Sequence, residues 1–192
     1  MSGHSRSDGA VAGGRAASHR RPPGIRPALA AGLVLSLFTV TFAAADWTTV
    51  ANEVGDGVQA DTARVTNSAG HSLVVYRDPD GVVRGTFSIS PDDPPLDPQS
   101  CPTFRIDSQP PRALAGLDGP CDVESHRARF ALGVVSDGVI ESTLLTQLMN
   151  GTKIVVWYHV QQRGYRETEL TLRRSMQALL DAVGHQVQVL SP

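Results

Sequence analysis

Residues 152–160 read TKIVVWYHV and form the clearest strand pattern in the sequence. Apolar side chains fill alternate positions on one face, and Val155 and Trp157 make the opposite face largely apolar as well. A strand with two apolar faces is typical of the middle of a sheet that is covered on both sides. This segment therefore predicts a central strand in a β-rich core.

The chain reverses after this strand and then enters a helix. Gln161–Gly164 predicts the reversal, and Tyr165–Leu172 predicts the returning strand. Apolar side chains then recur at i, i+3, i+4 and i+7, which predicts an amphipathic helix over about 174–183 that stops at Gly184. One more strand, at Gln186–Leu190, would close the sheet.

The segments before the central strand are mostly strands. Residues 71–90 predict a hairpin, because Asp78–Gly81 (DPDG) supplies turn residues between two β-rich runs. Residues 126–134 alternate between an apolar and a polar face, up to Val134, as a half-buried strand does. A short helix is expected over about 141–149, and Asn150–Gly151 would end it with residues that accept a positive φ.

These elements decide the fold class. Strands outnumber helices, the connections are hairpin-like, and neither helix belongs to a repeating strand–helix unit that would build a parallel sheet. We therefore predict a mainly β protein, an antiparallel β-sandwich or flattened barrel with two short helices at about 141–149 and 174–183. Residues 91–121 are rich in proline and are expected to form a surface excursion, with one short strand at Phe104–Asp107.

Residues 1–45 have the charge order of a basic leader and signal peptide. Five arginines and one aspartate come first, and the eighteen residues of Ala28–Ala45 then carry no charge. Small side chains end this run, which predicts cleavage between Ala45 and Asp46. A retained membrane anchor is one alternative, since the run is nearly long enough to cross a bilayer. A twin-arginine signal at Arg20–Arg21 is another.

Residues 46–192 are predicted to form a single exported β-rich domain of ordinary size. Without the leader the formal charge changes from −2 to −6. An acidic domain with few clustered cations does not suit nucleic acid, whose binding depends on neutralising phosphates.

Two cysteines, Cys101 and Cys121, fall in the exported part of the chain. In an oxidising compartment two thiols in a small domain usually pair, so a structural disulfide is expected. A metal pair and a redox-active thiol are the alternatives, but the sequence has no Cys-x-x-Cys spacing to favour either.

No catalytic signature is present: neither a Gly-x-Ser-x-Gly elbow, nor His-Glu-x-x-His, nor a glycine-rich phosphate loop. No cofactor and no metal are expected. The predicted domain contains four histidines, at His71, His126, His159 and His185. A hydrolase built on one of them stays an alternative, because a catalytic triad is defined by geometry in space.

Two other groups of side chains have a plain and a functional interpretation. Asp92, Asp93 and Asp97 are expected to be solvated loop acids, with a weak cation site as the alternative. The second group is aromatic: its side chains are expected to pack, with a carbohydrate or peptide groove as the alternative. Its members are Trp47, Tyr76, Trp157, Tyr158 and Tyr165.

The C-terminal third carries a resemblance to a known family. It contains LLTQLMNG at Leu144–Gly151, the strand KIVVWYHV, and ELTL at Glu169–Leu172 running into the helix at Ser175–Val183; Trp47 and two central cysteines precede them in order. This arrangement resembles the invasion-associated locus B family of bacterial exported proteins. The resemblance implies a periplasmic or surface-associated β-rich domain, linked by the family name to host association, without established catalytic residues.

The sequence thus predicts an exported envelope domain, periplasmic or on the cell surface, that binds a protein or an envelope component and is not catalytic. A periplasmic hydrolase and a small-ligand carrier are the alternatives, and the carrier would need an apolar cavity inside the sandwich. Contact with the membrane is expected only through the leader, as an inner-membrane anchor, if it is not cleaved.

Overall fold

The computed structural model describes residues 46–53 and 59–191. The predicted signal peptide, 1–45, and therefore the cleavage site at Ala45, lie outside the described residues. Within the part that is described, no helix has the length and apolar character needed to cross a membrane.

The described residues form twelve strands and two helices. In chain order these are β1 (Thr48–Glu53), β2 (Gln59–Thr66), β3 (Ser72–Arg77), β4 (Val82–Ser88), β5 (Thr103–Ile106), β6 (Arg112–Ala113), β7 (Asp122–Glu124), β8 (Arg127–Val134), β9 (Val139–Glu141), α1 (Thr143–Asn150), β10 (Lys153–Val160), β11 (Gly164–Thr171), α2 (Ser175–Val183) and β12 (Gln188–Leu190).

Two antiparallel sheets enclose one core. The larger has the order β1-β2-β3-β4-β8-β7, and the smaller has the order β11-β10-β5-β6. Phe87 of β4 and Tyr158 of β10 meet between the sheets, with ring centroids 5.5 Å apart, and α2 packs against β1, β2 and β3. Neither sheet closes into a barrel, so the predicted antiparallel sandwich with two short helices is the fold observed.

The two best-defined local patterns are confirmed. β3 and β4 pair from Ser72 opposite Ser88 to Arg77 opposite Val83, and the DPDG turn between them places Gly81 at φ 82°. β10 lies between β11 and β5. Its inward side chains are buried, and so is Val155 on the opposite face.

The alternating pattern of 126–134 ends earlier than predicted. Val134 is 45% exposed instead of sharing the buried face. The pairing of β4 with β8 shifts between Val83 and Arg84, which leaves Leu132 as an extra residue on β8. Such a bulge turns the following side chains away from their expected faces.

Two boundaries near the C-terminus also differ from the prediction. Helix α1 starts after Ser142, whose Oγ accepts a hydrogen bond from the Leu145 N–H at 3.1 Å, because Glu141 belongs to β9. The last strand, β12, pairs in parallel with β9 as a separate two-stranded sheet. The prediction that it closes the antiparallel sheet is therefore wrong.

Gly151 ends α1 for a different reason from the one predicted. Its φ is −78°, so no positive φ is required. A Cβ at this position would lie 2.7 Å from Ile106 Cγ2, 2.8 Å from Leu172 Cδ1 and 2.9 Å from the Gln147 carbonyl oxygen. Close approach of the core is what requires glycine.

The predicted disulfide is present between Cys101 and Cys121, whose Cα atoms are 5.7 Å apart. Cys101 precedes β5 of the smaller sheet, and Cys121 directly precedes β7 of the larger sheet. The bond therefore joins the entry points of strands in the two layers.

Candidate functional site

A polar cleft of about 630 Å³ opens at one end of the sandwich. Ala69 and His71 border it from the turn before β3, Asp92 and Asp93 from the segment after β4, and Tyr158 from β10. Ser90 and the β11 residues Arg166, Glu167 and Thr168 also line it. We call this site the Asp93–Arg166 cleft, after the two charged side chains that meet across it.

Asp93 and Arg166 form an ion pair, with Arg166 Nη1 3.0 Å from Asp93 Oδ1. The Asp93 side chain is only 17% exposed, whereas that of Arg166 is 35% exposed. A pair screened on one side from water interacts more strongly than a fully solvated one, but it also loses hydration. The cleft therefore presents a fixed carboxylate beside a partly open guanidinium.

His126 holds the backbone that carries Asp93. Its Nε2 lies 2.9 Å from the Asp93 carbonyl oxygen, and its Nδ1 lies 2.8 Å from Ser125 Oγ. A carbonyl oxygen only accepts hydrogen bonds, so Nε2 donates, and in the neutral ring Nδ1 accepts from the serine hydroxyl. His126 is thus a positioning residue for the cleft.

His71 and Tyr158 form the floor of the cleft. His71 is buried, with only 6% of the residue exposed. Its Nε2 lies 2.7 Å from the Tyr158 hydroxyl and 3.2 Å from Asp93 Oδ2. Burial raises the pKa of Tyr158, the negative charge of Asp93 raises it further, and Arg166 opposes both. Tyr158 therefore stays a neutral hydrogen-bonding group.

This arrangement differs from a catalytic triad in one decisive respect. A triad uses one imidazole nitrogen to hold the acid and the other to face the nucleophile. In His71 both neighbours lie at Nε2, and Nδ1 is buried without a hydrogen-bond partner among the described residues. The network is suited to holding charged groups in place rather than to relaying a proton from a nucleophile.

The other two histidines lie outside the cleft. His159 stacks edge-on against Tyr165, with centroids 5.0 Å apart, and His185 Nε2 lies 2.9 Å from Asp181 Oδ1. Of the four histidines considered from the sequence, only His71 lines the cleft and only His126 supports it.

Of the three loop acids, Asp92 and Asp93 border the cleft and Asp97 does not. Asp93 enters the cleft, Asp92 stays exposed at its rim, and Asp97 accepts a hydrogen bond from the Gln99 N–H at 3.0 Å. Within the described ranges, no group of histidine, cysteine, aspartate and glutamate side chains is arranged to bind a metal.

The aromatic side chains do not form one groove. Trp47 and Tyr158 are buried. Trp157 and Tyr165 lie together on the outer face of the smaller sheet, where the Arg105 guanidinium is 5.3 Å from the Trp157 ring centroid. Packing, the role expected from the sequence, accounts for the buried pair.

Comparison with known proteins supports a shared fold. No family model matches the sequence, and no curated protein matches it. Among solved structures, the chain is similar to the crystal structure of invasion associated protein B from Bartonella henselae. The match has 12% sequence identity and a TM-score of 0.50, and it covers 74% of this chain and 95% of that chain. At this identity the likeness supports the predicted resemblance at the level of the fold alone.

Proposed function

We propose that the protein is an exported envelope domain, periplasmic or surface-associated, that binds a protein or an envelope component through the Asp93–Arg166 cleft. The observation that carries the proposal is the cleft itself. It holds a carboxylate and a guanidinium in fixed positions, backed by buried polar groups, and such convergent polar side chains in a concave site are typical of recognition sites.

The leader pattern and the disulfide support an exported location. The apolar run Ala28–Ala45 and the basic residues before it favour export. The disulfide between Cys101 and Cys121 also favours an oxidising compartment, where such bonds form and persist. A fold shared with a protein named for its association with invasion is compatible with a role in contact with a host. The buried Nδ1 of His71, which has no hydrogen-bond partner within the described part of the chain, favours binding over hydrolysis.

Photo-crosslinking in cells that express the full chain tests the binding role. A crosslinking residue replaces Ala69, which is exposed at the cleft. The matched control replaces Asp80, an exposed residue at the other end of β3, about 20 Å away by the rise of a strand. We expect a specific adduct from position 69 only, and we expect Arg166→Glu to abolish it. Equal adducts at both positions, or none at position 69, would contradict the proposal.

Export is tested separately by sequencing the N-terminus of protein from the envelope fraction. The expected mature terminus is Asp46. Recovery of the full chain in the cytoplasm, with its first residues intact, would show that the leader does not direct export.

A further inference from the structure

Strand β11 lies at the edge of the smaller sheet and, among the described strands, pairs with β10 alone. The N–H of Leu172 donates to the carbonyl oxygen of Thr152, directly opposite, at 2.8 Å. Because bonding alternates along an antiparallel pair, even-numbered residues of β11 bond to β10 and odd-numbered residues direct their N–H and C=O groups outward. The outward groups belong to Tyr165, Glu167, Glu169 and Thr171.

The outer edge of β11 is closed over one half of its length. The Asn67 side-chain amide donates to the Glu169 carbonyl oxygen at 3.0 Å, and the Trp47 indole N–H donates to the Thr171 carbonyl oxygen at 2.8 Å. Two side chains from the region of the larger sheet therefore occupy the positions that a further strand would use.

The other half of the edge is open. Among the described residues, none forms a hydrogen bond with the outward N–H or C=O group of Tyr165 or Glu167. The two residues are exposed, and Arg166 and Thr168 beside them line the Asp93–Arg166 cleft. A strand added to this half of the edge would therefore lie along the cleft.

A second copy of this chain does not suit the open edge. Two β11 strands that paired about a two-fold axis would centre on Arg166 or on Glu167, because only the 165–168 portion is open. Either centre places a residue opposite its own copy, and like charges opposite each other destabilise a pair of strands. Charges of this kind on an edge are a common protection against self-association.

The same charges define the partner that does fit. Asp92 and Asp93 border the cleft, and the Glu167 side chain lies beside them on the outer face of the same edge, where it accepts from Trp157. The one cation that lines the cleft, Arg166, is already paired with Asp93. Glu167 stands directly on the open edge, where an added strand would place a side chain opposite it at about 5.5 Å between Cα atoms. A basic side chain is the complement at that position.

We propose that the open half of β11 takes up an extended segment of another protein by β-strand addition, with a lysine or arginine of that segment opposite Glu167. The inference rests on the proposed binding function and specifies the class of its ligand. Main-chain hydrogen bonds to Tyr165 and Glu167 would supply affinity, and the basic side chain would supply selectivity.

Synthetic peptides test this directly with the full chain. The probes are short, blocked peptides of alternating threonine and valine with lysine at the centre, the same peptide with glutamate there, and the lysine peptide N-methylated at the central amide. We expect the lysine peptide to slow hydrogen exchange of the Tyr165 and Glu167 amides by about tenfold or more at saturation. The N-methylated peptide lacks one donor of the added strand and should not do so.

Charge variants on the same strand provide matched controls. Glu167→Lys should reverse the preference in favour of the glutamate peptide, and Glu167→Gln should remove the preference while leaving an acceptor for the Trp157 indole, which donates to Glu167 at 2.8 Å. Glu169→Lys, on the closed half, should leave the preference unchanged.

Equal binding of the lysine and N-methylated peptides would overturn strand addition, and so would a preference that follows Glu169. A cleft-specific adduct at position 69 would survive either result, so the two proposals fail separately.

Discussion

Gly151→Ala tests whether the end of α1 requires glycine for space or for backbone conformation. At φ −78° an alanine is allowed, and conformation alone would give a gain of about 0.4–1 kcal/mol from a less flexible unfolded chain. The new Cβ would instead meet Ile106 and Leu172, each only 2% exposed. It would also meet the Gln147 carbonyl oxygen, which the Gly151 N–H holds at 2.8 Å.

The size of the effect follows from these contacts. Distances of 2.7, 2.8 and 2.9 Å require the neighbours to move, and two of the three belong to the closed core. Overpacking costs about 1–3 kcal/mol, and contact with two buried side chains favours the upper part of that range, about 2–3 kcal/mol. After the gain in the unfolded state this leaves a net loss of about 1–2 kcal/mol.

Thermal unfolding with the disulfide intact measures the loss. For a domain of this size the expected decrease in Tm is about 2–8 °C. Gly119→Ala is the matched control, since a Cβ there meets nothing within 4 Å, and its Tm should be unchanged or slightly higher. A Gly151→Ala variant that melts at or above the parent temperature would refute close approach as the reason for glycine.

Three further perturbations have defined outcomes. Replacing Cys101 and Cys121 together by serine should lower the free energy of unfolding by about 3 kcal/mol in the chain-entropy account, as measured by urea titration; an unchanged midpoint would show that the bond does not restrict the unfolded chain. The pKa of Asp107 is lowered, chiefly because the Thr152 hydroxyl donates to it, with backbone N–H groups adding to the effect. A carboxylate with a lowered pKa stabilises the fold above its unfolded-state pKa, and this contribution is lost as the pH falls through the folded-state pKa. In Asp107→Asn the urea midpoint should therefore decline less steeply below about pH 4 than in the parent. The pKa of Tyr158 is raised by burial, so its contribution to stability is lost as the pH rises above about 10. Tyr158→Phe should lose about 1 kcal/mol near neutrality, but its free energy of unfolding should fall less steeply above about pH 10 than that of the parent. An identical alkaline profile for parent and variant would contradict this.

The parts of the fold that sequence could predict are those with a local pattern. The hairpin at 71–90 combines two β-rich runs with a turn whose residues suit its geometry. The strand at 153–160 shows its central position because both of its faces are apolar. In each case neighbours in sequence carry the whole signal.

The parts that sequence could not predict depend on partners far away in the chain. Asp93 and Arg166 are 73 residues apart, and no local pattern relates them. β12 finds β9 instead of an antiparallel neighbour, and the bulge at Leu132 depends on how β8 meets β4. The requirement for Gly151 comes from two side chains elsewhere in the chain. The sequence predicts that this glycine ends the helix, but it does not show that close packing is the reason.

One signal for the site was nevertheless present in the alternation of β11. The side chains on its inner face are the buried Leu170, then Thr168, then Arg166. The face that should be apolar therefore becomes polar over the open half of the strand. On β10 the inward position opposite Arg166 is Tyr158. Polar side chains at inward positions weaken a core unless they have partners, and natural proteins accept that cost mainly where a site requires it. The break in alternation therefore marks the cleft, and it occurs on the half of β11 whose outer edge has no partner among the residues that the structure describes.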